Sequence, residues 1–466
     1  MNLRRKVVLG LFIIFVALIL AGVFSRSRLP TIAPDLARRT GAAVQLEGQH
    51  GPLSAAKSKS IIDGLEKRGD DTGIFDRHLA LEEAIVGSPL TTGNKVLLLE
   101  DGPATFSAMI GAIRKARDHI NMETYIVEDD EVGNQFADAL IEKQQQGIQV
   151  NLIRDSVGTL GTPVAFFQRL TDSGIEVLEF NPVNPLAMRK EWEVYQRDHR
   201  KLLIVDGRTA FLGGINISAV YSGGSFSKGS HNQTDDHPTW RDTDLQLTGP
   251  VVAELQKLFI ETWEGQDGQP LPAKDYFPKP KETGRAVVRA IGSTPDESFS
   301  LIYATLLSAI ASAETCVYIT NAYFVPDPQL LDALEASAGR GVDVTLILPS
   351  VTDSWLVFHA GRGYYDRLLR AGVKIYERHG ALLHSKTALI DGVWATVGST
   401  NLDWRSFLHN RELNAVVLGQ EFGEQLQAMF ERDLAQSDAI VLDEWRRRPL
   451  TFRAMELYAR VWKYWL

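Results

Sequence analysis

The chain has 466 residues, 44% apolar and 23% charged, enough for two or three domains with real cores and a mostly globular protein. A formal net charge of −9 argues against a protein that coats nucleic acid through bulk electrostatics. Cys316 is the single cysteine, which excludes an intrachain disulfide and a thiolate cluster; no histidine stands in a His-Glu-x-x-His frame, so neither a catalytic metal nor a cofactor is expected.

Residues 7–24 carry no charge and lie between Arg4, Arg5, Lys6 and Arg26, Arg28. Such a run is long enough to cross a bilayer with little tilt. The rival is a cleaved secretory signal, with Val23 and Ser25 as a weak cleavage pair. The first reading predicts a single-pass, membrane-anchored protein; basic residues at both ends leave its orientation open. Residues 27–75, with Pro, Gly, Ser and scattered charge, read as a tether with room for short helices. A first domain is expected over 76–264. It opens with a strand over 94–100 and a helix over 104–117, where Phe106, Met109, Ile110 and Ile113 fall at helical spacing. A strand over 120–127, a helix over 133–146, a strand over 148–154 and elements over 164–172 and 174–180 follow. Strands separated by helices of this length predict an α/β layered domain.

Residues 193–220 hold His199, Lys201 and Asp206, then Gly213 and Asn216 in a Gly-x-x-Asn run. The apolar residues between Lys201 and Asp206 read as a buried strand. On a strand, residues two apart face one side, so His199 and Lys201 share a face. Asp206 sits at the strand end and reads as an anchor for backbone or side chains; the alternative is a turn residue, since Gly207 follows and Asp-Gly is a common turn dipeptide. Residues 265–284, rich in Gly, Pro and Lys, read as a linker.

The pattern then returns over 285–445. Gly147-Ile-Gln-Val matches Gly341-Val-Asp-Val, Tyr125 matches Tyr323, and Arg241-Asp242 matches Arg411-Glu412. Within 378–405 stand His384, Lys386 and Asp391, the last again before a glycine, and then Gly398 and Asn401. The blocks keep one order in both halves. The chain is therefore a duplication of one α/β unit, each copy carrying half a site.

Two imidazoles can divide labour at phosphorus, one attacking and one donating a proton to the leaving oxygen. Histidine suits both roles because its unperturbed pKa lies near neutrality. Two lysines and two asparagines can hold the non-bridging phosphoryl oxygens, with ammonium charge in place of a metal's. A carboxylate on each far ring nitrogen would fix the tautomer, and Asp242 and Glu412 occupy matching places for it.

The doubled His-x-Lys-x4-Asp with Gly-x-x-Asn resembles the phospholipase D superfamily. Within it, the runs Asn121-Met-Glu-Thr-Tyr125, Trp240-Arg-Asp-Thr243 and Gly398-Ser-Thr-Asn-Leu-Asp403 are similar to those of bacterial cardiolipin synthases. The resemblance implies two duplicated α/β/α sandwich domains with pseudo-twofold symmetry, here preceded by one N-terminal transmembrane helix. It implies a covalent phosphohistidine intermediate and no metal. Onto this chain it carries His199 and His384 as nucleophile and general acid, Lys201, Lys386, Asn216 and Asn401 as phosphate clamp, and Asp242 and Glu412 as orienting groups; Asp206 and Asp391 complete the two motifs. The implied activity is phosphatidyl transfer to make cardiolipin, with phospholipids (phosphatidylglycerol first), a bacterial inner membrane and no nucleic acid as partners. The alternatives are a hydrolase releasing phosphatidic acid and a nuclease of the same superfamily.

Residues 446–466 form a basic tail. Arg446, Arg447 and Arg448 precede Met455, Tyr458, Ala459, Trp462, Trp465 and Leu466, spaced three and four apart. This predicts a helix whose apolar face either lies in a membrane interface or packs on the second domain.

Overall fold

A computed structural model describes residues 44–67, 73–184, 193, 195–223 and 239–466. The apolar run over 7–24 and the segment 224–238 lie outside the described residues. Among the described residues, no helix is long and apolar enough to cross a membrane.

The first half supplies strands β1 (Leu90–Glu100), β2 (His119–Thr124), β3 (Gln149–Asp155), β4 (Glu176–Phe180), β5 (Leu202–Val205), β6 (Thr209–Gly213) and β7 (Thr243–Thr248). Its helices are α1 (Gly102–Lys115), α2 (Glu131–Gln145), α3 (Val164–Asp172) and α4 (Val251–Gly265). The strands lie in the order β4-β3-β2-β5-β6-β7-β1. The first two pairings are parallel, joined by βαβ crossovers through α2 and α3, and the rest are antiparallel, with β5 and β6 joined by a short turn.

The second half repeats this. Its strands are β8 (Ala286–Ser293), β9 (Cys316–Asn321), β10 (Asp343–Pro349), β11 (Lys374–Arg378), β12 (Lys386–Ile390), β13 (Trp394–Gly398) and β14 (Asn410–Leu418). Helices α5 (Leu301–Ser312), α6 (Pro328–Gly339), α7 (Trp355–Arg362), α8 (Tyr365–Arg370) and α9 (Gln420–Leu434) complete it, with α10 (Leu450–Val461) in the tail. The order β11-β10-β9-β12-β13-β14-β8 matches the first sheet strand for strand. The two sheets join edge to edge where β8 pairs with β1, with a register irregularity between Ala286 and Val288.

Local sequence explains the elements. Asp130 caps α2 by accepting from the Gly133 N–H at 2.8 Å, which starts the helix two residues before the expected 133. Val132, Phe136, Ala137 and Leu140 then fall three and four apart and are buried. Asp327 caps α6, with Pro328 at its first position. Every residue of β2 is buried, as a central strand flanked by helical layers requires.

Three cores result. One lies under α1, α2 and α3. One lies under α5, α6, α7 and α8 and takes in Leu46, Leu65, Phe75 and Leu79. The stretch read as a tether thus holds a short strand (Leu46–Gly48) that pairs in parallel with the start of β1, and a helix (Ala55–Glu66); Leu46 and Leu65 enter the core of the second half. The third core is shared: α4 and α9 pack against strands of both sheets. A shared core makes separate folding of the two halves unfavourable, because each would expose that apolar face.

Candidate active site

The two motifs meet because each is tied to the opposite half. Arg197–Asp198 pairs in parallel with Asn410 and Arg411 at the start of β14. Trp240–Arg241 pairs in parallel with Leu382 and Leu383. The His199 N–H donates to the Arg411 carbonyl at 2.9 Å, and the His384 N–H to the Arg241 carbonyl at 2.7 Å. A buried charge triad braces the second crossing, where Asp433 accepts from Arg241 Nη2 at 3.0 Å and from Arg378 Nε at 2.8 Å.

This crossing puts each imidazole on a carboxylate of the other repeat. His199 Nδ1 lies 3.1 Å from Glu412 Oε2, and His384 Nδ1 lies 2.6 Å from Asp242 Oδ2. The sequence pairs these groups by position in the repeat; the structure adds that the pairing is in trans. Lys201 Nζ donates to the His199 carbonyl at 2.7 Å, and Lys386 Nζ makes the same bond to the His384 carbonyl. Tyr125 stands edge-on to His199, and Trp240, Tyr221 and Tyr323 surround His384.

Asn216 is fully engaged. Its Oδ1 accepts from the Ile126 N–H at 3.2 Å and its Nδ2 donates to the Tyr221 hydroxyl at 3.1 Å. That hydroxyl lies 3.2 Å from His384 Nδ1. Asn401 is buried, and its Oδ1 has no partner among the described residues. Gly213 and Gly398 explain the glycine of each Gly-x-x-Asn run. A Cβ on either would come within 2.1–2.2 Å of Asp244 Oδ1 or Asn414 Oδ1.

Asp206 and Asp391, the last members of the two motifs, bind backbone at the strand ends. Asp206 accepts from the N–H groups of Arg117, Asp118 and His119, and Asp391 from those of Glu314, Thr315 and Cys316. Both adopt left-handed φ, of 54° and 51°. Five residues of strand, about 16 Å at the usual rise, separate each from its lysine. They set the register of β2 against β5 and of β9 against β12.

Three groups escaped the sequence reading. The Ser399 hydroxyl donates to Glu412 Oε2 at 2.5 Å. Its counterpart in the first half is Gly214, where a Cβ would strike Asp242. Asp244 and Asn414 are also counterparts: Asp244 Oδ1 accepts from the Ile215 N–H, and Asn414 Oδ1 from the Thr400 hydroxyl. Burial, with the Asp242 charge adding, pushes the Asp244 carboxyl well above the usual carboxylate range, in the place that the neutral Asn414 side chain holds in the second half. The alignment of Arg241-Asp-Thr-Asp244 with Arg411-Glu-Leu-Asn414 carried that signal.

Electrostatics departs from the near-neutral imidazoles expected. Burial pushes His199 down to about 4; Glu412 opposes it and the lysines add to it. Burial and Lys386 push His384 down to about 4 against Asp242. Burial lowers Lys201 to about 7 and Lys386 to about 8, in each case against the pull of Glu412 and Asp242. Burial alone would raise the Glu412 carboxyl, but His199 and Lys201 outweigh it and hold it below its ordinary value. With both imidazoles and both lysines lowered, the site holds fewer protons near neutral pH than the same side chains in water, and a bound anion would favour their return.

Binding of orthotungstate should therefore take up protons at pH 7.5. The bound anion favours charged imidazole and ammonium, so their pKa values rise across the solution pH. Calorimetry in buffers of different ionisation enthalpy reads that uptake, and affinity should fall as pH climbs through about 7 to 8, where the free lysines lose charge. A buffer-independent enthalpy would contradict it. In the unliganded protein the histidines have the opposite linkage. Their folded values lie below 6.5, so the unfolded chain binds more protons and stability falls from pH 6.5 towards 4.

Comparison with known proteins fixes the family. The family profile described as "Cardiolipin synthase, PLD-like domain" matches residues 109–223 and 306–434. The cardiolipin synthase of Geobacillus kaustophilus is 34% identical over 82% of this chain and 74% of its own. The chain belongs to the PLD-like cardiolipin synthase family. Cardiolipin synthase 2 of Bacillus anthracis is 36% identical over 77% of this chain and 68% of its own. Among solved structures, the phosphatidylserine synthase of Haemophilus influenzae shares the fold, with a TM-score of 0.56 at 13% identity, covering 82% of this chain and 98% of that one. The family accounts for the duplication: both matched segments carry a His-x-Lys half-site, and neither carries its own carboxylate partner on the same crossing strand.

Proposed function

We propose that this chain is a phosphatidyltransferase that makes cardiolipin from phosphatidylglycerol through a phosphohistidine. The observation that carries the reading is the pair of imidazoles held in trans on Glu412 and Asp242, each with a lysine of its own motif bonded to its carbonyl, in a chain of the cardiolipin synthase family. His199 attacks phosphorus through Nε2, and the bond from phosphorus to the glycerol headgroup breaks. His384, as imidazolium, gives the Nε2 proton to the departing glycerol oxygen. Its shorter contact to Asp242, with Tyr221 beside it, supports that role. A hydroxyl of a second phosphatidylglycerol then returns a proton to His384 and attacks phosphorus; the phosphorus–nitrogen bond breaks and cardiolipin leaves. Lys201, Lys386 and Asn401 hold the non-bridging oxygens, while Asn216 positions Tyr221. Water competes for the intermediate, and a positioned lipid hydroxyl wins through effective concentration.

The same reading places residues 7–24 as a single membrane anchor and divides the chain into domains over 76–264 and 285–445. The membrane is a bacterial inner membrane, and nucleic acid is not a substrate.

Purified chain with phosphatidylglycerol vesicles should release equimolar cardiolipin and glycerol, with phosphatidic acid minor. Dominant phosphatidic acid would make it a hydrolase, and DNA cleavage without lipid turnover a nuclease. Turnover should also survive EDTA, because two ammonium groups supply the charge at phosphorus. Loss in EDTA that one divalent ion restores, on detergent-dispersed substrate where the lipid surface needs none, would contradict this.

A further inference from the structure

Helix α10 is amphipathic in the inverted sense. Its packed side is Glu456 and Ala459, with Glu456 accepting from Arg448 Nε at 2.8 Å and Arg460 lying over the Tyr364 ring at 5.0 Å. Its outer side is apolar: Leu450 is 76% exposed, Leu457 68%, and Tyr458 and Val461 are exposed beside them, with Trp465 just beyond. The tail packs on the domain, but not through the apolar face that packing alone would choose. Exposed Trp355 and Val351 extend the patch, Trp355 lying 6.4 Å from Tyr458.

The patch is joined to the second half-site at two points. Asp353, two residues from Trp355, accepts from the Tyr323 hydroxyl at 2.6 Å, and Tyr323 faces His384. At the other end, the Leu466 carbonyl accepts from the Arg405 N–H at 2.8 Å, and Tyr464 packs on Trp404, which follows the Asn401 turn. The loop bearing Val351 and Asp353 leaves the carboxyl end of β10, the end of the parallel strands where the half-site lies.

Charge decides what covers the patch. Arg447, Arg453 and Arg460 are exposed on the tail, with Arg446 beside them paired to Asp366 at 3.1 Å; from 446 onward the sole acid, Glu456, is buried and paired, and Asp353 in the neighbouring loop is bonded to Tyr323. A second copy would set this basic rim against itself. The chain's own apolar segment is bordered by Arg4, Arg5, Lys6, Arg26 and Arg28 and would do the same. An anionic bilayer satisfies both the apolar face and its rim.

We propose that the outer face of α10, with Trp355 and Val351, inserts into an anionic phospholipid surface and seats the active-site mouth on the bilayer that holds the substrate. This rests on the lipid-transfer reading above and adds a docking surface distinct from any N-terminal anchor.

The test uses the full chain and the variant L457E/V461E, assayed on phosphatidylglycerol vesicles and on dihexanoyl phosphatidylglycerol below its micelle concentration. The variant should lose about tenfold or more in kcat/KM on vesicles, since two side chains no longer enter the bilayer, and stay within about twofold on the monomeric lipid. Bromine-labelled phosphatidylglycerol should quench wild-type tryptophan fluorescence more than W355F/W465F fluorescence. Equal kcat/KM on vesicles for wild type and L457E/V461E would overturn the proposal, as would tryptophan quenching unchanged by W355F/W465F. A patch covered instead by a second copy would show as a dimer that L457E/V461E dissolves in the absence of lipid, which also overturns it. Wild type inactive on both lipids would sink the functional reading instead.

Discussion

Replacing His199 or His384 with alanine is expected to lower phosphatidyl transfer by roughly 10⁴-fold or more, and the double variant to lose little beyond either single one. Groups that act as one unit are non-additive: once nucleophile or acid is gone, the other cannot complete the transfer. The two imidazoles sit in different repeats, yet each is held by a carboxylate from the other, so no half contains a whole site. Steady-state assays of the three variants, with folding checked by thermal unfolding, read the result. Substantial activity in either single variant would mean that the half-sites work independently.

Replacing the trans carboxylates is the second large effect. Asp242→Asn and Glu412→Gln keep the shape of each side chain and remove its charge. Each should cost roughly 10² to 10⁴ in turnover, the range seen when a histidine's orienting carboxylate is neutralised or lost. Asp242→Asn should be the more damaging for a leaving group of high pKa, because the His384 imidazolium loses its counter-charge. A substrate with a p-nitrophenyl leaving group needs no proton and should rescue Asp242→Asn far more than Glu412→Gln. Equal rescue of both would contradict the division of roles.

Much of this was legible in the sequence because the repeat is internal. Two copies of His-x-Lys, each followed by Gly-x-x-Asn, locate β5, β6, β12 and β13 and predict the half-sites. The strands and helices of the first half followed from spacing, with ends shifted where a cap such as Asp130 decides the start. The trans pairing was not legible. It depends on the parallel contacts of Arg197–Asp198 and Trp240–Arg241 with the other half, and strands of two residues leave no periodicity to read. The lowered histidines and lysines were also hidden, because burial is set by the shared core rather than by neighbours in sequence. Asp206 and Asp391 recur with the motif because each strand needs its end tied down, and their place at the strand end, before a glycine, already pointed to an anchor.

Trapping the intermediate tests the central claim most directly. The chain would be mixed with phosphatidylglycerol labelled at phosphorus, quenched in alkali within one turnover, digested and mapped by mass spectrometry. The account predicts a single phosphatidyl adduct on His199 Nε2, absent from His199→Ala and chased into cardiolipin by unlabelled phosphatidylglycerol. Cardiolipin formed at full rate with no labelled histidine in either repeat would contradict it.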